Sequence, residues 1–198
     1  MTEVRALGEV TGALETGRLV LERWDERHLD DFVRLAADPR VARYVADGDP
    51  WTRDRATARF AEALGHWSRY GFGWRSAIER ATGAWVGFVG LNFARPEAIE
   101  LAPRSVEIGW WIDPSRWRRG LATEGAVAVR DEAFARVGVD RLWARYQTSN
   151  PASARVAEKI GLRAERVARS RSNRPVQVVS LAIEDWARLP QDYPSNAP

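Results

Sequence analysis

Apolar and charged residues alternate from Arg18 to Trp24 (RLVLERW), which predicts a β-strand burying Leu19 and Leu21. The period then lengthens. Behind Asp25, a residue suited to cap a helix, Leu29, Phe32, Val33 and Ala36 recur at helical spacing until Asp38-Pro39 breaks the run. A short segment begins over Val41–Val45, and Asp47 to Pro50 reads as a loop. A longer helix is expected from about Arg53 to Tyr70, with Ala56, Phe60, Ala63, Leu64 and Trp67 on one side and Gly71 as its stop. Strand patterns return at Phe72–Glu79 and Trp85–Phe93 around the turn Ala81-Thr82-Gly83, and again at Val106–Ile112. Residues 94–104 carry two prolines and read as an irregular connection.

A helix follows to about Val137, where Ala122, Ala126, Val129, Ala133 and Val137 share a face and Gly138 ends it. Then come a strand at Val139–Gln147 and a short helix capped by Asn150 with Pro151 at its first position. Two last strands, about Leu162–Ser170 and Val176–Ile183, flank a turn at Asn173-Arg174-Pro175. A helix between Val106–Ile112 and Val139–Gln147 implies that these two strands are parallel. The expected fold is therefore α/β: one domain with a mixed, mostly antiparallel sheet, a central parallel pair and flanking helices. Residues 1–17 show no period and read as a loose arm; 187–198 read as a tail.

The stretch Val106 to Ala122, VEIGWWIDPSRWRRGLA, organises the rest. A strand ends in an Asp-Pro turn, a cationic segment follows, and Gly120 precedes a helix. Glycine lets the backbone bend and a ligand come close, while the free amides at a helix start favour an anion. The spacing fits neither a mononucleotide P-loop nor a three-glycine dinucleotide turn. What remains is (Gln/Arg)-x-x-Gly-x-(Gly/Ala), matched by Trp117 to Ala122 except at its first position. This resembles the acetyl-coenzyme A loop of the GNAT N-acetyltransferase superfamily. It is most similar to the branch acetylating ribosomal-protein N-termini, in which Trp holds the first position and Thr-Glu follow, here Thr123 and Glu124. The segment Thr148–Leu162, TSNPASARVAEKIGL, resembles that branch's second signature, Asn-x-x-Ser and then Glu-Lys-(Leu/Ile)-Gly.

The resemblance implies a GNAT-like acyl-CoA N-acyltransferase fold over residues 18–186, with acetyl-CoA as cosubstrate and no metal. It implies direct transfer to an amine, without a covalent enzyme intermediate, which agrees with a chain that has no cysteine. Backbone amides from Arg118 through Arg119, Gly120, Leu121 and Ala122 to Thr123 are then expected at the pyrophosphate, with Arg118 and Arg119 as candidates for the outer phosphates. The strand at Trp110, Trp111 and Ile112 is expected to splay from its neighbour, so that the pantetheine arm lies in the gap and a backbone N–H polarises the thioester. Glu107 is the expected base: a carboxylate in a half-buried strand near a cleft tends towards a raised pKa, although it could instead pair with an Arg. Ser153 is the candidate donor to the leaving sulfur, with Asn150 as both cap and coenzyme contact. Trp51, Trp67 and Trp74 border the acceptor side in related enzymes, whereas Trp24, Trp85 and Trp143 are expected in the core.

Composition narrows the setting. The chain has 198 residues, 45% of them hydrophobic, enough for one domain with a buried core. No apolar run reaches the length of a membrane helix and the N-terminus lacks a signal-peptide core, so the expected address is the cytoplasm. The net charge of +3 comes from 30 basic and 27 acidic residues interspersed, with Lys159 the sole lysine, which argues against nucleic acid as a partner. His28 and His66 stand apart and read as surface residues. Arg169, Arg171 and Arg174 could face an acidic acceptor or form a solvated hairpin. The acceptor stays open between a protein N-terminal amine, a small amine and an aminoglycoside-type antibiotic. A homodimer and a non-catalytic coenzyme-binding module also stay open, intact Glu107 and Ser153 arguing against the latter.

Overall fold

The computed structural model describes residues 7–94 and 101–190. The rest of the expected irregular connection, the first six residues and the end of the expected tail lie outside them. Eight strands form one sheet: β1 Leu14–Glu15, β2 Leu19–Arg23, β3 Trp74–Glu79, β4 Trp85–Phe93, β5 Val106–Ile112, β6 Arg141–Gln147, β7 Arg163–Arg169 and β8 Pro175–Ala182. Their order is β1-β2-β3-β4-β5-β6-β8-β7. Among the described strands only β5 and β6 pair in parallel, as the intervening helix demands.

The helices are α1 Leu29–Ala37, α2 Pro39–Ala42, α3 Arg53–Tyr70, α4 Leu121–Glu132, α5 Pro151–Lys159 and α6 Ile183–Trp186. Local chemistry sets their ends. Thr52 caps α3 by accepting from the Arg55 N–H, and Gly71 closes it at φ 72°. The helix α4 runs into a wider turn, Ala133–Val137, before Gly138 stops it at φ 78°.

Two layers cover the sheet. On one face α1 and α3 bury an aromatic cluster in which Trp74 stacks on Phe88 at 4.3 Å and Phe32 lies parallel to Trp111 at 5.8 Å. On the other face α4 comes close because of Gly125, where an added Cβ would sit 3.0 Å from Val89 Cγ2. A buried ion pair joins this helix to the sheet. Arg75, fully buried, donates to Glu132 at 2.8 and 2.6 Å and to the carbonyls of Gly12 and Leu21.

Several expectations need correction. Residues 7–17 are not a loose arm. Val10 is buried and bonds to Gly71, Gly8 bonds to Val137, and Leu14–Glu15 pairs with β2. Trp67 belongs to the core at 3% exposure, and its indole donates to the Trp74 carbonyl. Trp143 is only half-buried, against a small cluster containing Val176 and Val178. His28 and His66 are half-buried rather than surface residues. His66 Nδ1 lies 2.8 Å from the Phe72 carbonyl and Nε2 accepts from the Phe93 N–H, so the neutral ring ties α3 to β4. Burial pushes both imidazoles below their ordinary 6.5.

Candidate active site

The site begins where two strands part. β5 keeps its ladder with β4 as far as Ile112, and β6 keeps its ladder with β8 as far as Gln147. Between themselves they pair only at Val106–Leu142 and Glu107–Trp143. Gly87, at φ 140°, holds β4 against the end of β5, since a Cβ there would fall 2.1 Å from the Trp111 carbonyl oxygen. β5 thus stays with β4 while β6 leaves it. A groove of about 1360 Å³ opens in the split. Along it lies Gly109, whose absent Cβ would meet nothing within 4 Å, leaving backbone bare to an extended ligand.

At one end the chain turns into the cradle. Asp113 accepts from Ser115 to set a tight turn over Pro114–Arg116, and the Trp117 indole donates to the Ile112 carbonyl at 2.6 Å. Arg118 at φ 64° and Gly120 at φ 76° are both left-handed, and α4 starts with no side-chain cap. The first N–H to enter the helix is that of Glu124, bonded to the Gly120 carbonyl at 3.0 Å. The residues whose amides precede it, Gly120, Leu121, Ala122 and Thr123, line the groove. Arg116 and Arg118, in the same loop, and Arg155 and Lys159, on α5, also line the groove, while the acids lining it are Asp47, Glu62 and Glu107. A polyanion fits the first set.

Glu107 lies at the fork itself, 8% exposed, opposite Asn92 on β4 and on the α1/α3 face of the sheet. Arg145 Nε stands 3.0 Å from its carboxylate. The carboxylate at the fork is thus paired with an arginine, the alternative set against a free base in the sequence. Across the split, Asn150 accepts from the Ser153 N–H at 3.1 Å, and its amide donates to Ser153 Oγ at 3.0 Å. Because the hydroxyl accepts from Asn150, its own proton is left to point elsewhere.

Beyond Glu107 the groove is walled by Trp51 and Trp111, 5.3 Å apart and edge to face. Arg55 sits over Trp51 at 4.7 Å while paired with Asp47 at 2.9 Å, and Arg59 pairs with Glu62 at 2.7 Å. Two loops meet at this end. Ser172 donates to the Ala46 carbonyl and Arg174 to the Arg43 carbonyl, both at 2.8 Å. Gly48, at φ 97°, permits this, since a Cβ there would lie 2.6 Å from Arg174 Nη1. In the Arg169–Arg174 turn of the β7–β8 hairpin, Arg174 docks on the other loop, while Arg169, bonded to the Asn173 carbonyl, and Arg171, which lines the groove, stay exposed as expected of a solvated hairpin.

The acetyltransferase (GNAT) domain family matches residues 18–163 of the chain. The chain belongs to the GNAT acetyltransferase family. Its activity class is N-acetyl transfer. An FsC-acetyl coenzyme A-N(2)-transacetylase of Aspergillus fumigatus is 28% identical over 194 residues, covering 89% of this chain and 78% of that protein. A GnaT-family acetyltransferase structure from Bordetella pertussis superposes with a TM-score of 0.75 at 25% identity, covering 87% of this chain and 100% of the other. The fold is shared too by RimL, a ribosomal alpha-N-protein acetyltransferase solved with coenzyme A, with a TM-score of 0.71 at 15% identity over 88% of this chain and 99% of that one.

This GNAT domain gathers in one groove Glu107, Trp110, Trp111, Ile112, Arg118, Gly120 to Thr123, Asn150, Ser153, Trp51 and Trp74. Arg119 is turned away from it, its guanidinium 3.8 Å from Glu79. Trp74, 6% exposed and bonded to Asn92, is floor rather than a free surface. Sequence reasoning missed Arg145 and Tyr146. Both lie on β6 beyond its last pair with β5, and no local pattern in the strand marks them. Burial, and then the charge of Glu158, push the Tyr146 phenol up, so it stays a proton donor at neutral pH. Among the described residues no three His, Cys, Asp or Glu side chains gather as a metal site, and no helix is long and apolar enough to cross a membrane.

Proposed function

We propose that this GNAT enzyme moves an acetyl group from acetyl-CoA to a primary amine by direct attack in a ternary complex. One observation carries the reading: the split between β5 and β6 has a cationic amide cradle at one end and Glu107 at its fork. The residues fit the donor. Amides from Arg118 to Thr123 would hold the pyrophosphate and Arg118 a further phosphate, while Trp110 to Ile112 would border the arm. Bare β5 backbone offers an N–H to the thioester oxygen as it gains charge.

Glu107 takes a proton from the acceptor ammonium, directly or through water, which frees a nitrogen lone pair. A C–N bond forms at the thioester carbon and the C–S bond breaks. Ser153, oriented by Asn150, donates to the departing sulfur, and Tyr146 is a second donor on the same groove. Nitrogen loses a second proton once the C–N bond has formed, which balances the one the thiolate takes up, and the first passes from Glu107 to water. The products are an N-acetylated amine and free coenzyme A.

Two acceptor classes have support. A protein N-terminal amine follows from the Asn150–Ser153 signature and the fold shared with RimL. A small amine is favoured by the meeting of the two loops at Ala46–Ser172 and Arg43–Arg174, which narrows the acceptor end, and by the FsC-named relative. A polycationic aminoglycoside meets no surplus of acid there, because Asp47, Glu62 and Glu107 are each paired with an Arg. A screen following thiol release from acetyl-CoA, across peptides with different first residues and small amines, is expected to show acceptor-dependent turnover in one class. Bound coenzyme with no turnover across the panel would favour the non-catalytic module.

A further inference from the structure

Arg18 lies 101 positions before Arg119 and does not line the groove, yet it is built into the back of the cradle. Its Nη1 donates to the Arg119 carbonyl at 2.7 Å. Its Nε and its backbone N–H each donate at 2.7 Å to a different oxygen of Glu124, in the first turn of α4. Thr16 adds a hydroxyl bond to Glu124 at 2.6 Å and is itself fixed by the Leu19 N–H. Arg18 Nη2 comes within 3.3 Å of where a Cβ on Gly120 would be.

We infer that Arg18, seated by Thr16 and Glu124, is a positioning residue that sets the anion-binding amides of the cradle; this rests on the acetyl-CoA reading above. The geometry of a trans peptide carries the argument. The C=O of Arg119 and the N–H of Gly120 belong to one plane and point in opposite directions. Holding that carbonyl from behind aims the Gly120 N–H away from Arg18, towards the groove that Gly120 lines and Arg119 does not. Left-handed residues stand on both sides of Arg119, Arg118 at φ 64° and Gly120 at φ 76°. Charge makes a second contribution. Glu124 is an anion, 7% exposed, in the helix turn that is to receive phosphate, and without Arg18 its field would oppose the ligand. Arg18 and Thr16 absorb that charge from the side away from the groove.

Binding of coenzyme A and of S-acetylpantetheine, which lacks the phosphates, separates positioning from general stability. Tryptophan fluorescence can follow both, because Trp110 and Trp111 border the split. Arg18→Ala is expected to weaken coenzyme A by about 10-fold or more, as loss of charge-assisted bonds implies, and S-acetylpantetheine by less than about 2-fold. The KM for acetyl-CoA should rise in step while kcat at saturation holds within about 2-fold. Arg18→Lys keeps the charge and the fold, but one ammonium cannot span Glu124 and the Arg119 carbonyl, so it should recover only part of the loss. Equal weakening of both ligands, or unchanged coenzyme A affinity in either variant, overturns the inference. Wild-type protein that fails to bind coenzyme A would instead remove the acetyl-CoA reading on which it rests.

Discussion

Glu107→Gln is expected to lower kcat by about 100-fold or more near neutral pH, the range seen when a positioned general base is removed. Its affinity for coenzyme A should stay within about 2-fold, because the cradle lies at the other end of the split. The substitution keeps the side-chain shape at the fork and removes only the charge that accepts the proton. Steady-state kinetics with any acceptor found in the thiol-release screen, beside a coenzyme titration, measure both halves. Arg145 is a built-in complication, since it loses its anion. A melting curve for the variant separates a disturbed fold from a missing base. Undiminished kcat would assign the proton to another group.

The second large effect concerns stability. Glu132→Ala leaves the Arg75 guanidinium, fully buried on β3, without its bidentate partner. Breaking one side of a buried pair costs about 3–5 kcal/mol, because the remaining charge has lost both partner and water. For a domain of this size that corresponds to a fall in Tm of roughly 6–20 °C. Arg75→Met combined with Glu132→Leu should recover much of the loss, since apolar residues of similar volume carry no desolvation penalty. Denaturant unfolding of the three proteins tests this. A single-variant loss under about 1 kcal/mol would mean that Arg75 finds water or the carbonyls of Gly12 and Leu21 sufficient.

What could be read in the sequence was local. α3 was expected where it lies because its apolar residues recur at helical spacing and Gly71 marks its end, the Thr52 cap adding a local start signal. β4 and β5 were expected with their observed bounds, since apolar runs between turn residues leave few alternatives. The Gly120 turn into α4 was legible for the same reason: a glycine before an apolar helix is a property of a few consecutive residues. What stayed hidden depends on residues far apart in the chain. β1 has two residues, too few to show a period, and Val10 is buried only because the fold covers it. Nothing local in β3 shows that Arg75 is buried, because its partner Glu132 lies 57 residues later. Nothing in the spacing of Arg18 and Glu124, or of Ala46 and Ser172, foretells that they bond. Arg145 and Tyr146 entered the site because β6 departs from β5 beyond Glu107, and divergence leaves no mark on alternation.

The central claim is that coenzyme A docks in the split with its phosphates on the amides around Gly120. Isothermal titration of the wild-type protein with coenzyme A at two ionic strengths tests it most directly. The expected result is saturable binding of one molecule per chain, weaker at the higher salt because Arg118, Arg155 and Lys159 contribute through screened charge. No saturable heat up to about 1 mM ligand, at either salt, would contradict it.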